Sequence, residues 1–96
     1  MIRSFKGQLA SDLFHDRVTA VTRKFPPELR RMAQRKLQYL NAAMRLQDLS
    51  VPPGNRLEAL KGNLKGFHSI RINDQFRMVF KWIDGAANDV EVLDYH

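Results

Sequence analysis

Gly66-Phe67-His68-Ser69-Ile70-Arg71-Ile72-Asn73-Asp74-Gln75-Phe76-Arg77-Met78-Val79-Phe80-Lys81-Trp82 is a pair of alternating runs around a polar turn signal, Asn73-Asp74. That is the pattern of a β-hairpin. His68, Ile70 and Ile72 share one face of the first run; Phe76, Met78, Phe80 and Trp82 share one face of the second. Side chains directly opposite across a hairpin lie on the same face. The two apolar sets therefore coincide only if paired residue numbers add to an even value, as for Ile70 with Met78 or with Phe76. The connection must then hold an odd number of residues, most simply three, rather than a two-residue turn. A slip by one position would turn one apolar set into water. The same register gathers Ser69, Arg71, Gln75, Arg77 and Lys81 on the other face. Like charges opposite one another destabilise a sheet, but a face that binds phosphate can use them.

Outward from the hairpin, Arg56 to Gly62 reads as a short strand with Leu57 and Leu60 inward, and Asn63 to Gly66 as the turn that follows it. Asp84-Gly85 is a second turn, and Asn88 to His96 is a last strand with Val90 and Val92 on one face. Upstream, Met1 to Phe5 reads as a first strand. A short helix over 7–15 carries Leu9, Leu13 and Phe14; residues 16–25 are ambiguous. A second helix starts at Phe25-Pro26-Pro27-Glu28, where proline suits the first turn and Glu28 the positive end of the dipole. Its apolar stripe is Leu29, Met32, Ala33, Leu37, Leu40, Ala43 and Met44, and its opposite side carries Arg30, Arg31, Arg35, Lys36 and Arg45. The prolines and glycine in Asp48 to Asn55 exclude helix there. The reading is one α+β domain over 1–96, with an N-terminal strand and two helices on one face of a largely antiparallel sheet. The other face is expected to be open and to carry the cations.

The chain has 96 residues, 44% of them hydrophobic and 27% charged, with no cysteine. Disulfides, thiolate chemistry and cysteine-based zinc sites are thereby excluded. No apolar run approaches ~18 residues, so no transmembrane helix or membrane role is expected. The N-terminus lacks a signal peptide's apolar core, and a cytoplasmic location is expected. The net charge is +6, and all of the excess lies in residues 1–50, which hold ten Lys/Arg against four Asp/Glu. A chain this small and basic points to a polyanionic partner, nucleic acid ahead of membrane, although charge alone fits simple solubility almost as well. Arg30, Arg31 and Arg35 on the helix, with Arg71 and Lys81 on the sheet, are the candidates for gripping a phosphate backbone.

The chain ends Asp94-Tyr95-His96. Position alone argues for a frayed end, but Lys61, Arg71, Arg77 and Lys81 can converge on the same sheet face. A titratable histidine, a tyrosine and several fixed cations suit RNA cleavage without metal or other cofactor. In that reaction the 2′-hydroxyl attacks the adjacent phosphorus, one group takes its proton, another protonates the leaving oxygen, and cations stabilise the charged transition state. His96 has a reference pKa of ~6.5, near neutrality, and Tyr95 could stack on a base. His15, His68 and His96 have no metal-ligand spacing. His68 falls on the apolar side and reads as a satisfied core histidine. Ser69 lacks a nucleophile-elbow context.

Several stretches together, in order and spacing, resemble a known family. They are Met1-Ile2-Arg3-Ser4-Phe5, Pro52-Pro53-Gly54-Asn55-Arg56-Leu57-Glu58-Ala59-Leu60-Lys61-Gly62, Ser69-Ile70-Arg71-Ile72-Asn73-Asp74-Gln75-Phe76-Arg77 and Asp94-Tyr95-His96. The resemblance is to the HigB, or plasmid-maintenance killer, toxins of the RelE superfamily. It implies a RelE-like (microbial RNase-like) fold and metal-independent cleavage of mRNA in the A site of the 70S ribosome. It also implies a HigA-type helix-turn-helix antitoxin, through which alone the toxin would meet operator DNA. Carried over position by position, the family's catalytic residues match Asp94, Tyr95, His96, Lys61 and Arg77. Some members have histidine where this chain has Glu58, which leaves His96 as the catalytic histidine here. The runner-up reading is a module that keeps this fold but blocks translation by occupying the ribosome.

Overall fold

Among the described residues, 1–95 of a computed structural model, four strands form one antiparallel sheet. They are β1 (Glu58–Ala59), β2 (His68–Arg71), β3 (Phe76–Ile83) and β4 (Ala86–Asp94), in the order β1-β2-β3-β4. The hairpin adopts the even register: His68 faces Phe80, Ile70 faces Met78 and Arg71 faces Arg77. The amide of Ile72 donates to the Phe76 carbonyl at 3.0 Å, leaving Asn73, Asp74 and Gln75 as a three-residue connection. The Asn73 side-chain oxygen holds that loop by accepting from the amides of Gln75 (3.1 Å) and Phe76 (2.8 Å), an Asx turn. The second turn has two residues, Asp84 and Gly85, both at positive φ (52° and 74°), the primed geometry that suits a tight hairpin.

Met1 to Phe5 is not a full strand. It runs parallel to β4 through isolated bridges at Ile2–Ala87 and Phe5–Val90. Helices α1 (Gln8–Phe14), α2 (Ala20–Arg23) and α3 (Arg30–Ala42) cover one face of the sheet. The ambiguous stretch 16–25 thus contributes one capped turn, with Thr19 and Thr22 exchanging side-chain and backbone hydrogen bonds. The core lies between the layers and includes Leu13, Leu37, Leu40, Ile70, Met78, Phe80 and Val90, each at most 1% exposed. Each fully buried Leu, Ile or Phe contributes about 1.5–3 kcal/mol by leaving water.

Three expectations are corrected. Helix α3 stops at Ala42 rather than continuing through Met44, which is 82% exposed. The Asp48 carboxylate accepts from the amides of Met44 and Arg45, at 3.0 Å each. The side chain draws those donors into the 3-10 turn Leu46–Ser50 instead of a further helical turn. Those two backbone bonds also hold the Asp48 carboxyl below its usual value. The strand expected over Arg56–Gly62 shrinks to two residues because Arg56 and Gly62 both take positive φ (47° and 64°). Leu57 packs on the core, whereas Leu60, bonded to Phe67, shares the face of Glu58. Finally, Lys36 is not on the solvated side of α3. It is 7% exposed, within the buried stripe of Ala33, Leu37 and Leu40.

Candidate active site

The face of the sheet opposite the helices is less open than the sequence suggests. Ser69 and Val79 are fully buried on it, and the Arg77 side chain is 11% exposed. The three cations also do not simply repel one another. Arg71 pairs with Asp74, Arg77 with Glu58 at 3.5 Å, and Lys81 with Asp89 at 3.9 Å. Asp89 reaches Lys81 because a register shift between Val79 and Lys81 leaves it as a bulge at φ 53° in β4.

Arg77 is the centre of this face. Its Nη2 donates to the Arg56 carbonyl at 2.8 Å, its Nη1 faces Glu58, and its guanidinium lies 5.6 Å from the centroid of the Tyr95 ring. Tyr95 is brought there by a backbone bond from its amide to the Gln75 carbonyl (2.6 Å). The Arg77 Nε–H is buried and has no hydrogen-bond partner among the described residues. A guanidinium carries five N–H donors in a planar fork. With one N–H committed to the Arg56 carbonyl and one to Glu58, and the Nε–H buried, two Nη hydrogens remain for an oxyanion.

The other candidates separate. Asp94 faces Phe76 in the register and accepts from the Gln75 side chain at 3.0 Å. Tyr95, one residue on, joins Arg77. Lys61 is exposed at the cap of the turn Gly62–Leu64. Among the described residues, no hydrogen bond or ion pair joins it to Arg77. Lys81 lies at the far end of the face, over the Phe67 ring at 4.9 Å. Arg71 sits at the end of β2 near Lys36. Arg31 and Arg35 are exposed on α3, while Arg30 is half-buried and donates to the Thr22 carbonyl at 3.2 Å. His96 lies outside the described residues. His68 does stack on Phe80, at 6.2 Å between ring centroids, but its buried Nδ1 has no partner among the described residues, so it is packed rather than satisfied.

Glu58 is the participant that spacing and composition do not single out. Its signal is nonetheless there: an acid on the strand beside β2 must face either the core or the cations, and a charged side chain takes the second. An apolar groove lined by Leu9, Ala20, Val21, Lys24, Phe25 and Phe76 opens on the helix side, away from Arg77, and carries no acid-base pair. Among the described residues, no group of three or more His, Asp or Glu could hold a metal ion. Among the same residues, no helix is long and apolar enough to cross a membrane.

The family described as RelE-like toxin of type II toxin-antitoxin system HigB matches residues 3–96. "Toxin HigB-1" of Vibrio cholerae serotype O1 is 51% identical over 74 residues, 77% of each chain. "Endoribonuclease HigB" of Proteus vulgaris is 30% identical over 96 residues, the whole of both chains. A chain of a YoeB–YefM complex from Staphylococcus aureus shares the fold, with a TM-score of 0.61 at 18% identity over 100% of this chain and 98% of that one. A YafQ variant from E. coli has a TM-score of 0.59 at 14% identity, over 99% and 94%.

Proposed function

This chain belongs to the HigB-like toxin family of type II toxin–antitoxin systems and is an endoribonuclease; from that premise we propose that it cuts mRNA in the A site of the 70S ribosome. The reaction is attack of the 2′-hydroxyl on the adjacent phosphorus, with no metal ion. The 3′,5′-phosphodiester bond breaks, and the products are a 2′,3′-cyclic phosphate and a 5′-hydroxyl end. The observation that carries this reading is the Arg77 guanidinium, held by the Arg56 carbonyl and Glu58 against the Tyr95 ring. Donors fixed before the substrate arrives are what a developing phosphorane charge needs.

In this scheme Arg77 holds the scissile phosphate and Lys61 adds charge from the rim. Tyr95 stacks on or hydrogen-bonds the nucleotide. His96 and an acidic partner divide the proton transfers. Asp94 anchors the strand end through Gln75, and Arg71 and Lys81 extend the backbone grip to either side. Arg31 and Arg35, with a smaller share from Arg30, hold ribosomal RNA. The protein acts in the cytoplasm, where a HigA-type helix-turn-helix antitoxin neutralises it and carries it to operator DNA.

The test is mapping of mRNA 5′ ends after induction, with and without translation. The reading expects new 5′-hydroxyl ends inside translated codons, absent from untranslated copies of the same message. Growth arrest without new ends would favour a module that stops the ribosome by occupancy. Cuts that persist without translation would remove the ribosome from the mechanism.

A further inference from the structure

The core-facing stripe of α3 reads Ala33, Lys36, Leu37 and Leu40, the i, i+3, i+4, i+7 spacing of a buried face. Lys36 is therefore a cation where an apolar residue would pack. Among the described residues, no carboxylate lies within ion-pair range of it. Burial, then the nearby charges of Arg35 and Arg71, push its pKa down. Its ammonium donates to the side-chain oxygen of Asn55 and lies 5.7 Å from the Tyr39 ring centroid. A buried cation without a carboxylate costs stability, and an apolar side chain of similar length would be cheaper. The fold gains no obvious stability from this lysine, so its value lies in what it holds.

It holds Asn55, which is fully buried and uses every polar atom of its side chain. The oxygen accepts from Lys36, and Nδ2 donates to the carbonyls of Leu49 (3.1 Å) and Val51 (3.3 Å). Its backbone amide closes onto the Pro52 carbonyl at 2.9 Å. Asn55 thus ties the loop Leu49–Asn55 to α3. The next residue, Arg56, sits at φ 47°, a left-handed conformation that a non-glycine residue adopts only when its surroundings impose it. It is the carbonyl of Arg56 that receives Arg77 Nη2, and Glu58, two residues further, faces Nη1. Both protein acceptors of the Arg77 guanidinium come from the segment that Asn55 anchors.

We propose that Lys36 and Asn55 are positioning residues. Acting through the left-handed Arg56 carbonyl, they hold the Arg77 guanidinium in the pose that receives the scissile phosphate, and neither touches RNA. The proposal rests on the reading of Arg77 given above.

A double-mutant cycle tests it. Initial rates of mRNA cleavage on purified, programmed ribosomes give kcat and KM for the wild type, Lys36→Met, Arg77→Ala and the double variant, with a melting curve for each. Lys36→Met relieves a buried charge but leaves the Asn55 oxygen without its donor, so it should still fold with a cooperative melt near the wild-type temperature and keep its KM. Its kcat should fall by about 100-fold, the size of a roughly 1 Å misplacement at a reacting centre. In the Arg77→Ala background the same change should cost nothing further, because the group it positions is gone. Lys36→Arg, which keeps charge and donors, should recover most of the rate. If Lys36→Met does not fold, Asn55→Asp replaces it: that variant keeps a partner for Lys36 but removes both Nδ2 bonds, and the same non-additive fall in kcat is expected. A wild-type kcat in the folded variant, or a fall that multiplies with that of Arg77→Ala, would overturn the proposal. Failure of the underlying reading looks different: there, Arg77→Ala alone would cleave at the wild-type rate.

Discussion

The two faces of the β2–β3 hairpin are made by the same strands and obey different rules. On one, Ile70, Met78 and Phe80 are fully buried under the helices. On the other, Arg71, Arg77 and Lys81 each meet an acidic side chain. Burial on the first face stabilises by area and cannot be traded away. The ion pairs on the second involve partners that are 98%, 54% and 47% exposed, and exposed pairs contribute about 0–1 kcal/mol. One face specifies the fold; on the other, where Ser69, Val79 and most of Arg77 are also buried, it is the exposed acidic partners that can be exchanged for a ligand at little cost in stability. Lys36 is the exception that joins them: a cation inside the first face, linked through Asn55 and Arg56 to the second.

The largest expected effect is at His96. His96→Ala should reduce cleavage by about 100- to 10,000-fold with an unchanged melting curve, the range for removal of a proton-transfer group. Tyr95→Phe separates the hydroxyl from the ring: a large fall assigns chemistry to the hydroxyl, a small one assigns stacking. If both folded variants cleave like the wild type, neither the His96 imidazole nor the Tyr95 hydroxyl takes part in the chemistry.

On the apolar face the effect should be on stability instead. Leu37→Ala should lower unfolding free energy by about 2–5 kcal/mol, read from denaturant midpoints, while any surviving folded protein keeps its kcat. A catalytic defect without a stability defect there would break the division between the faces.

The division is legible in the sequence because period two is a strong signal when both strands of a hairpin show it, and only the even register buries both apolar sets. The three-residue connection follows from the same parity. The helix end at Ala42 is not legible, because the helical stripe runs on to Met44 and the competitor is one side chain, Asp48, four residues further. Lys36 reads as surface because it is a lysine among arginines; only the position of Asn55, nineteen residues away, explains its burial. For the site, Asp94 and Tyr95 are consecutive at a strand end, so alternation implies that only one of them can join Arg77. The pairing of Lys81 with Asp89 depends on a bulge that nothing in the residue pattern announces.

A smaller effect tests the helix surface. Arg31→Glu with Arg35→Glu should weaken ribosome association and reduce its salt slope by about one for each phosphate no longer neutralised. Arg30 is a poorer probe because it also caps the Thr22 carbonyl. Unchanged affinity and slope would mean that this helix surface is only solvated.

The smallest effect is on acid stability. Burial raises the pKa of the Asp12 carboxyl, but hydrogen bonds from Gln8, Thr19 and Arg17 together outweigh it and leave the pKa below the usual 3.8. A carboxylate depressed in the fold adds stability above its unfolded pKa and ceases to do so as pH falls through the folded one. The wild-type melting temperature should therefore drop below pH 3.8 more than that of Asp12→Asn. Parallel curves for the two would mean that Asp12 contributes nothing to the stability of the helix side.

The central claim is that Arg77 serves chemistry rather than stability. Arg77→Ala, assayed for cleavage of translated mRNA alongside its melting curve, tests it most directly. The expected result is a kcat lower by about 100- to 1,000-fold, as for removal of one fixed oxyanion donor, with the fold and ribosome association retained. A folded variant that cleaves at the wild-type rate would contradict it.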